Sequence, residues 1–208
     1  MPLALLTFLL ACTPRESDGI TVSGELGGSI FDPDTVVFDE LGAGPYDTAG
    51  PEDQQLVIAL ADAEGVCPLL GPLYHYWWLR CESACTGLFE QQELWPDDVL
   101  RVLWVGVTVE ETLETTYTLG ASDSPGVFTA SYRPVDLSLL AEHDAKSCYD
   151  ACTDDYGFLL TDQGRANTGD LELTGLDGDI LSGSFDVLLS EGQVDASFDA
   201  PRCEMGLH

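Results

Sequence analysis

The chain has 208 residues, 45 % of them hydrophobic, and carries 37 Asp and Glu against seven Lys and Arg, for a formal net charge of −30. Such hydrophobic content argues for a folded chain, and the charge repels phosphate backbones, which excludes nucleic acid as a partner. The single lysine, Lys146, follows an alanine, so the Gly-Lys of a phosphate-binding P-loop is missing, and nothing in the sequence tunes a Schiff-base amine. The acidity is read first as adaptation to salt or as solubility on a crowded surface, and second as cation binding.

At the front, Met1 to Ala11 are almost wholly apolar and uncharged, and the run stops at Cys12. About ten apolar residues are too few to span a membrane as a helix, which takes about 20, so the stretch reads as a targeting segment over residues 1–11 rather than as part of the fold. The sequence Leu9-Leu10-Ala11-Cys12 resembles the lipobox of bacterial lipoproteins. That resemblance implies cleavage before Cys12 and diacylglycerol on its thiol. Thr13, where an Asp would retain the protein at the inner membrane, implies delivery to the outer membrane with the domain periplasmic or surface-exposed. The first basic residue, Arg15, follows the cysteine; the expected signal segment thus has a truncated n-region, and an ordinary leader without lipid is the alternative. Residues 12–18 form a short tether, and 19–208 a single domain.

In chain order, short alternating or apolar runs predict strands over Ile20 to Leu26, Ser29 to Asp39, Gln54 to Ala61, Val99 to Glu110, Thr115 to Leu119 and Gly126 to Tyr132. Between them, Leu73 to Cys81 (LYHYWWLRC) is dense in aromatic residues. On a strand, Tyr74, Tyr76 and Trp78 share one face, with His75 and Trp77 on the other. Such a patch either packs in a core or stacks against a flat ligand such as a sugar. A helix is predicted to carry the Cys148/Cys152 motif, since Ser138 through Cys148 is free of Gly and Pro and Gly157 lies a few residues past Cys152. The last third alternates most clearly: Leu171 and Leu173, then a turn at Asp177-Gly178, then Phe185, Val187 and Leu189, then a turn at Glu191-Gly192, then Val194, Ala196, Phe198 and Ala200. This is an antiparallel meander with one wet face. The fold class is therefore mainly β, an antiparallel sandwich or barrel with one or two short disulfide-linked helices. The Gly-rich stretches SGELGGSIFDPDTVVFD, SGSFDV and ASFDAPRC are similar to the opening and closing strands of small envelope lipoproteins, a resemblance that implies no activity.

Seven cysteines make an odd count. With Cys12 reserved for lipid, Cys67, Cys81, Cys85, Cys148, Cys152 and Cys203 remain, an even set suited to disulfides outside the cytoplasm. Cys81/Cys85 and Cys148/Cys152 each have i, i+4 spacing, which places both thiols on one helix face; on a strand they lie roughly 13 Å apart, beyond disulfide reach. Facing antiparallel segments then join Cys81 to Cys152 and Cys85 to Cys148, leaving Cys67 with Cys203. The paired C-x-x-x-C spacing is similar to that of twin-motif helical hairpins, but Thr86 to Ser147 is too long for a hairpin loop. The C-x-x-C spacing usual in four-cysteine zinc sites is absent.

Catalytic signals are few. His75, His143 and His208 never fall four residues apart, and no nucleophile elbow occurs. The Asp-rich turns at Phe31 to Asp34, Thr153 to Gly157 and Leu176 to Asp179 fit ordinary turn chemistry and leave weak divalent-cation binding open. The expectation is a lipid-anchored envelope protein without cofactors, acting by non-enzymatic binding or structural interaction with a protein or glycan. A small-ligand or carbohydrate binder using Tyr74, Tyr76, Trp77 and Trp78 or a barrel mouth is the alternative, and a hydrolase the third reading.

Overall fold

The structure, a computed structural model, describes residues 20–41, 54–77, 81–109, 113–119, 128–141, 143–154, 159 and 164–205. Strands β1 (Thr21–Leu26), β2 (Ser29–Ile30), β3 (Thr35–Leu41) and β4 (Gln54–Ala61) precede two helices, α1 (Cys67–Trp77) and α2 (Cys81–Glu90). Strands β5 (Leu100–Val109), β6 (Thr115–Thr118) and β7 (Phe128–Val135) lead to helix α3 (Ala145–Asp154). The meander β8 (Gly164–Asp177), β9 (Ile180–Leu189) and β10 (Gly192–Pro201) completes the chain. All ten strands belong to one antiparallel sheet in the order β2-β1-β10-β9-β8-β7-β5-β4-β3, with β6 on β8. The sheet curls into a half-barrel.

Two kinds of strand follow from two kinds of sequence. In β4, Leu56, Ile58 and Leu60 point inside the curl while Val57, Ala59 and Ala61 point outside, and all six are buried. The same holds for β5, where Leu103 and Val105 face inward and Val102 and Trp104 outward. Burial on both faces explains the nearly continuous apolar runs in these strands. In β8 to β10 the inward Leu171, Leu173, Phe185, Val187, Val194 and Phe198 are buried, and the intervening positions are mostly exposed. That alternation marks a face left to water.

Outside the curl, the three helices cover β3, β4, β5 and the end of β7. Here the sequence expectations need correction. The Leu73 to Cys81 stretch is not a strand: its described part is the second half of α1. Leu69, Leu73 and Tyr76 recur at helical spacing on the buried side, and Pro68 in the first turn suits a helix start, signals that outweigh Gly71 and Pro72. The predicted Ser138 helix also divides. Asp136 caps a short 3-10 turn over Leu137–Leu140 by accepting from the Ser138 N–H, 3.0 Å. Helix α3 then starts afresh because Asp144 accepts from the Ser147 N–H, 2.8 Å, while the Ser147 hydroxyl meets the Asp144 N–H, 3.1 Å. This reciprocal cap satisfies amides that a helix start otherwise leaves open. It also holds the Asp144 carboxyl below its usual range, the side-chain bond from Ser147 being the largest cause. The predicted Ser29 to Asp39 strand breaks at Phe31–Asp34, where Pro33 cannot donate to a ladder.

Cys81 bonds Cys152 and Cys85 bonds Cys148, so two bridges run side by side between α2 and α3; Cys67, at the start of α1, bonds Cys203. After Pro201 the chain leaves β9 and crosses to β3 through one parallel bridge, Phe38 to Arg202. This terminal strap, Arg202–Met205, presses on α1 where Gly71 sits. A Cβ at that position meets the Met205 carbonyl oxygen and carbon. Gly71→Ala is therefore expected to push the strap off α1 and lower stability by about 1 to 3 kcal/mol, the usual range for overpacking, read from urea unfolding of the two proteins; an unchanged midpoint counts against this contact.

Candidate functional site

Among the described residues no helix packs on the outer face of β6, β8, β9, β10 and β1, which turn polar side chains outward. Their registers align. Asp186 on β9 stands directly opposite Asp195 on β10 and Asp170 on β8. Thr118 flanks the row on β6 and Ser23 on β1. The next row reads Thr116, Glu172, Ser184, Ser197 and Thr21. Apart from Thr118, the residues of both rows line an open depression of about 400 Å³.

Like charges directly opposite each other across strands are destabilising, so this arrangement opposes the packing that holds it. Local donors offset part of the cost: the Thr118 hydroxyl donates to Asp170, 2.5 Å, and the Gln193 amide to Asp186, 3.0 Å. The ion pairs Arg101–Asp62, Arg202–Glu40 and Arg202–Asp179 lie elsewhere. Among the described residues no group of three His, Cys, Asp or Glu is placed to hold a metal ion. The aligned carboxylates face one another as repelling charges.

The second cluster lies under α1. Tyr74 and Trp77 meet Trp104 of β5 with ring centroids 5.5 and 4.6 Å apart. The Arg133 guanidinium of β7 lies 5.3 Å from the Trp77 ring centroid. Burial pushes the Arg133 pKa down, and the nearby Arg165 adds to the effect. The indole N–H groups of Trp77 and Trp104 are buried without an acceptor. Tyr76 is fully buried, and the Tyr74 and Trp77 rings stand at 68° to each other, so the aromatic residues do not form one stacking plane. Trp78, like Cys12 and His208, lies outside the described residues. His75 is half-buried on α1, and the His143 N–H donates to the Leu140 carbonyl. Of the Asp-rich turns, Asp32, Asp34, Asp177 and Asp179 are exposed, and Asp155 to Gly157 lie outside the described residues.

Sequence reading missed the acidic row. The turn between β9 and β10 falls at Ser190 and Glu191, one residue before the expected Glu191-Gly192, and this register sets Asp186 opposite Asp195, where the expected turn would have set it opposite Ser197. Asp170 joins them only because of a bulge between Leu173 and Gly175, which no local pattern announces. Asp39 was missed too: it is a buried carboxylate that follows the apolar run Val36 to Phe38 of β3, accepting from the Met205 and Glu40 amides. Comparison with protein-family models, curated proteins and solved structures found no match to this chain.

If the aligned carboxylates repel as their register implies, Asp186→Asn raises stability at low salt by about 0.2 to 1 kcal/mol. The gain should shrink toward zero near 1 M salt, where screening acts over roughly 3 Å. Urea unfolding at the two salt levels checks both parts, and a salt-independent or absent gain rejects the repulsive reading.

Proposed function

We propose that this chain is a lipid-anchored module of the bacterial envelope that acts by non-enzymatic binding, tethered through Cys12 with its bare acidic sheet face turned to solvent. The observation that carries the export half of the reading is cysteine pairing. All six cysteines after Cys12 are used in disulfides, which favours an oxidising compartment and leaves Cys12 as the odd thiol. The binding half rests on the interior of the curl. Leu56, Ile58, Val105, Phe185 and Phe198 fill it, and the depression of about 400 Å³ opens on the outer face instead. A chain built this way offers a broad surface rather than an enclosed ligand chamber.

A second reading, a glycan or other flat-ligand site at Tyr74 and Trp77, draws on the two indole N–H groups that lack acceptors. Oligosaccharide binding abolished by Trp77→Ala favours that reading over the first.

The anchor is tested by expressing the full chain and Cys12→Ser with an alkyne fatty acid. The parent should take up label and pellet with membranes, because two or more acyl chains hold a protein stably to a bilayer. The variant should lose the label and stay in the aqueous phase after detergent partition. Equal membrane partition of the two proteins overturns the anchor.

A further inference from the structure

The strap Arg202–Met205 is held to the body of the protein by contacts of very unequal strength. Its backbone contribution to β3 is one hydrogen bond, from the Cys203 N–H to the Phe38 carbonyl, 2.8 Å. The Met205 N–H adds a bond to the buried Asp39 carboxylate, 2.8 Å. Arg202 reaches Glu40 at 2.6 Å and lies over the Phe38 ring at 5.2 Å. Both charged side chains of that pair are about a third exposed, so the pair contributes little. Away from β3, the Arg202 N–H donates to the Asp179 carbonyl, 2.7 Å, its side chain pairs with the exposed Asp179 carboxylate, and Cys203 and Met205 pack in the core beneath the helices; the one covalent attachment is the Cys67–Cys203 bridge.

The other two disulfides are arranged differently. Both join the same two helices, and Cys81, Cys85, Cys148 and Cys152 are all at most 4 % exposed. Opening either one leaves its neighbour in place. Cys67 is the one cysteine of the six that is not buried, and no second bridge backs it up.

From this asymmetry we infer that Cys67–Cys203 is a redox latch, opened by a dithiol reductant ahead of the other two bridges and releasing the strap from β3 while the sheet and helices stay folded. A thiolate of the dithiol attacks the Cys67 sulfur and expels the Cys203 thiolate, forming a mixed disulfide. The second dithiol sulfur then displaces the Cys67 thiolate. Two electrons pass to the protein, both cysteines take up protons, and the reductant leaves as its own disulfide. Release of the strap bares the outer edge of β3 around Phe38 and takes from Asp39 one of its two amide donors. An uncovered edge is a surface on which another extended segment can pair. The latch does not depend on lipid at Cys12.

The test uses the folded, oxidised protein and limiting dithiothreitol, with timed iodoacetamide quenching and peptide mass spectrometry. Cys67 and Cys203 are expected to be alkylated about tenfold faster than the four helix cysteines, since exchange rates follow access to the attacked sulfur. In parallel, amide deuterium uptake should rise at Phe38 to Glu40 and at Cys203 to Met205, with Leu171 to Ala200 unchanged. Equal or faster labelling of the helix cysteines overturns the latch. So does early labelling of Cys67 and Cys203 with no change in β3 exchange. The double variant Cys67→Ser/Cys203→Ser should fold, keep its other two bridges and show the raised β3 exchange without reductant. If it fails to fold, the bridge is a structural staple and the latch is rejected.

Discussion

Two-sided burial of β4 and β5 is the constraint on which the rest of the molecule depends. Neighbouring residues such as Val57 and Ile58 point in opposite directions, and both are buried. The inner face of such a strand can be covered by the curl of the sheet itself, but the outer face needs a separate layer. That layer consists of helices only ten or eleven residues long, below the roughly 12 to 15 residues at which an isolated helix becomes even marginal in water. α3 is also largely polar, with only Cys148 and Cys152 buried among its described side chains. Packing alone has little to grip there, and two disulfides take its place. The need for a second layer thus leads, through helix length, to cysteine chemistry.

The other half of the sheet solves a different problem. β8, β9 and β10 bury only their inner faces, so their outer positions are free to be polar. A strongly acidic chain concentrates repulsion there, down to carboxylates placed opposite one another across three strands. The cost is modest for each pair and is borne where the hairpins make the longest ladders of the sheet. Charge of one sign on a flat sheet surface also opposes stacking against other flat surfaces, the usual hazard of exposed β-structure. The same acids that weaken the fold locally set the charge of one copy against that of another.

Much of this was legible in the sequence, and what was not had physical causes. The meander could be read because its strands alternate and are joined by short turns, although each turn is one residue off: Gly178 and Asp179 rather than Asp177 and Gly178, with Gly178 taking the positive φ of +61°, and Ser190 and Glu191 rather than Glu191 and Gly192. The C-x-x-x-C motifs could be read because i, i+4 spacing has one geometric meaning on a helix. The aromatic stretch misled because Tyr74, Tyr76 and Trp78 alternate while Leu69, Leu73 and Tyr76 also recur at helical spacing, and short apolar runs do not distinguish the two periods. The partnership of Trp104 with α1, the alignment of Asp170 with Asp186 and the role of Asp39 are all long-range. Each depends on register or on the path of the strap, which a single strand's pattern does not encode.

Loop length does not decide which bridge opens first. In the chain-entropy picture, sequence separations of 136 and 63 residues differ by only about 0.7 kcal/mol in the stabilisation they give, and the larger value belongs to Cys67–Cys203. Taken alone, that term makes the strap bridge slightly the hardest to lose. The local setting acts against it. Cys85–Cys148 lies inside the loop closed by Cys81–Cys152, so when either bridge is cut the other holds the free thiols about one helical turn away, at a high effective concentration that favours re-closure. No such partner stands beside Cys67. Once cut, Cys203 is held to β3 by a single backbone bond, with the Met205 amide, the Arg202 N–H on Asp179, a partly solvated ion pair and the packing of Met205 as its other ties, and no second bridge keeps its thiol beside Cys67. Redundancy rather than loop size therefore separates a permanent staple from a releasable one, and this protein contains both kinds.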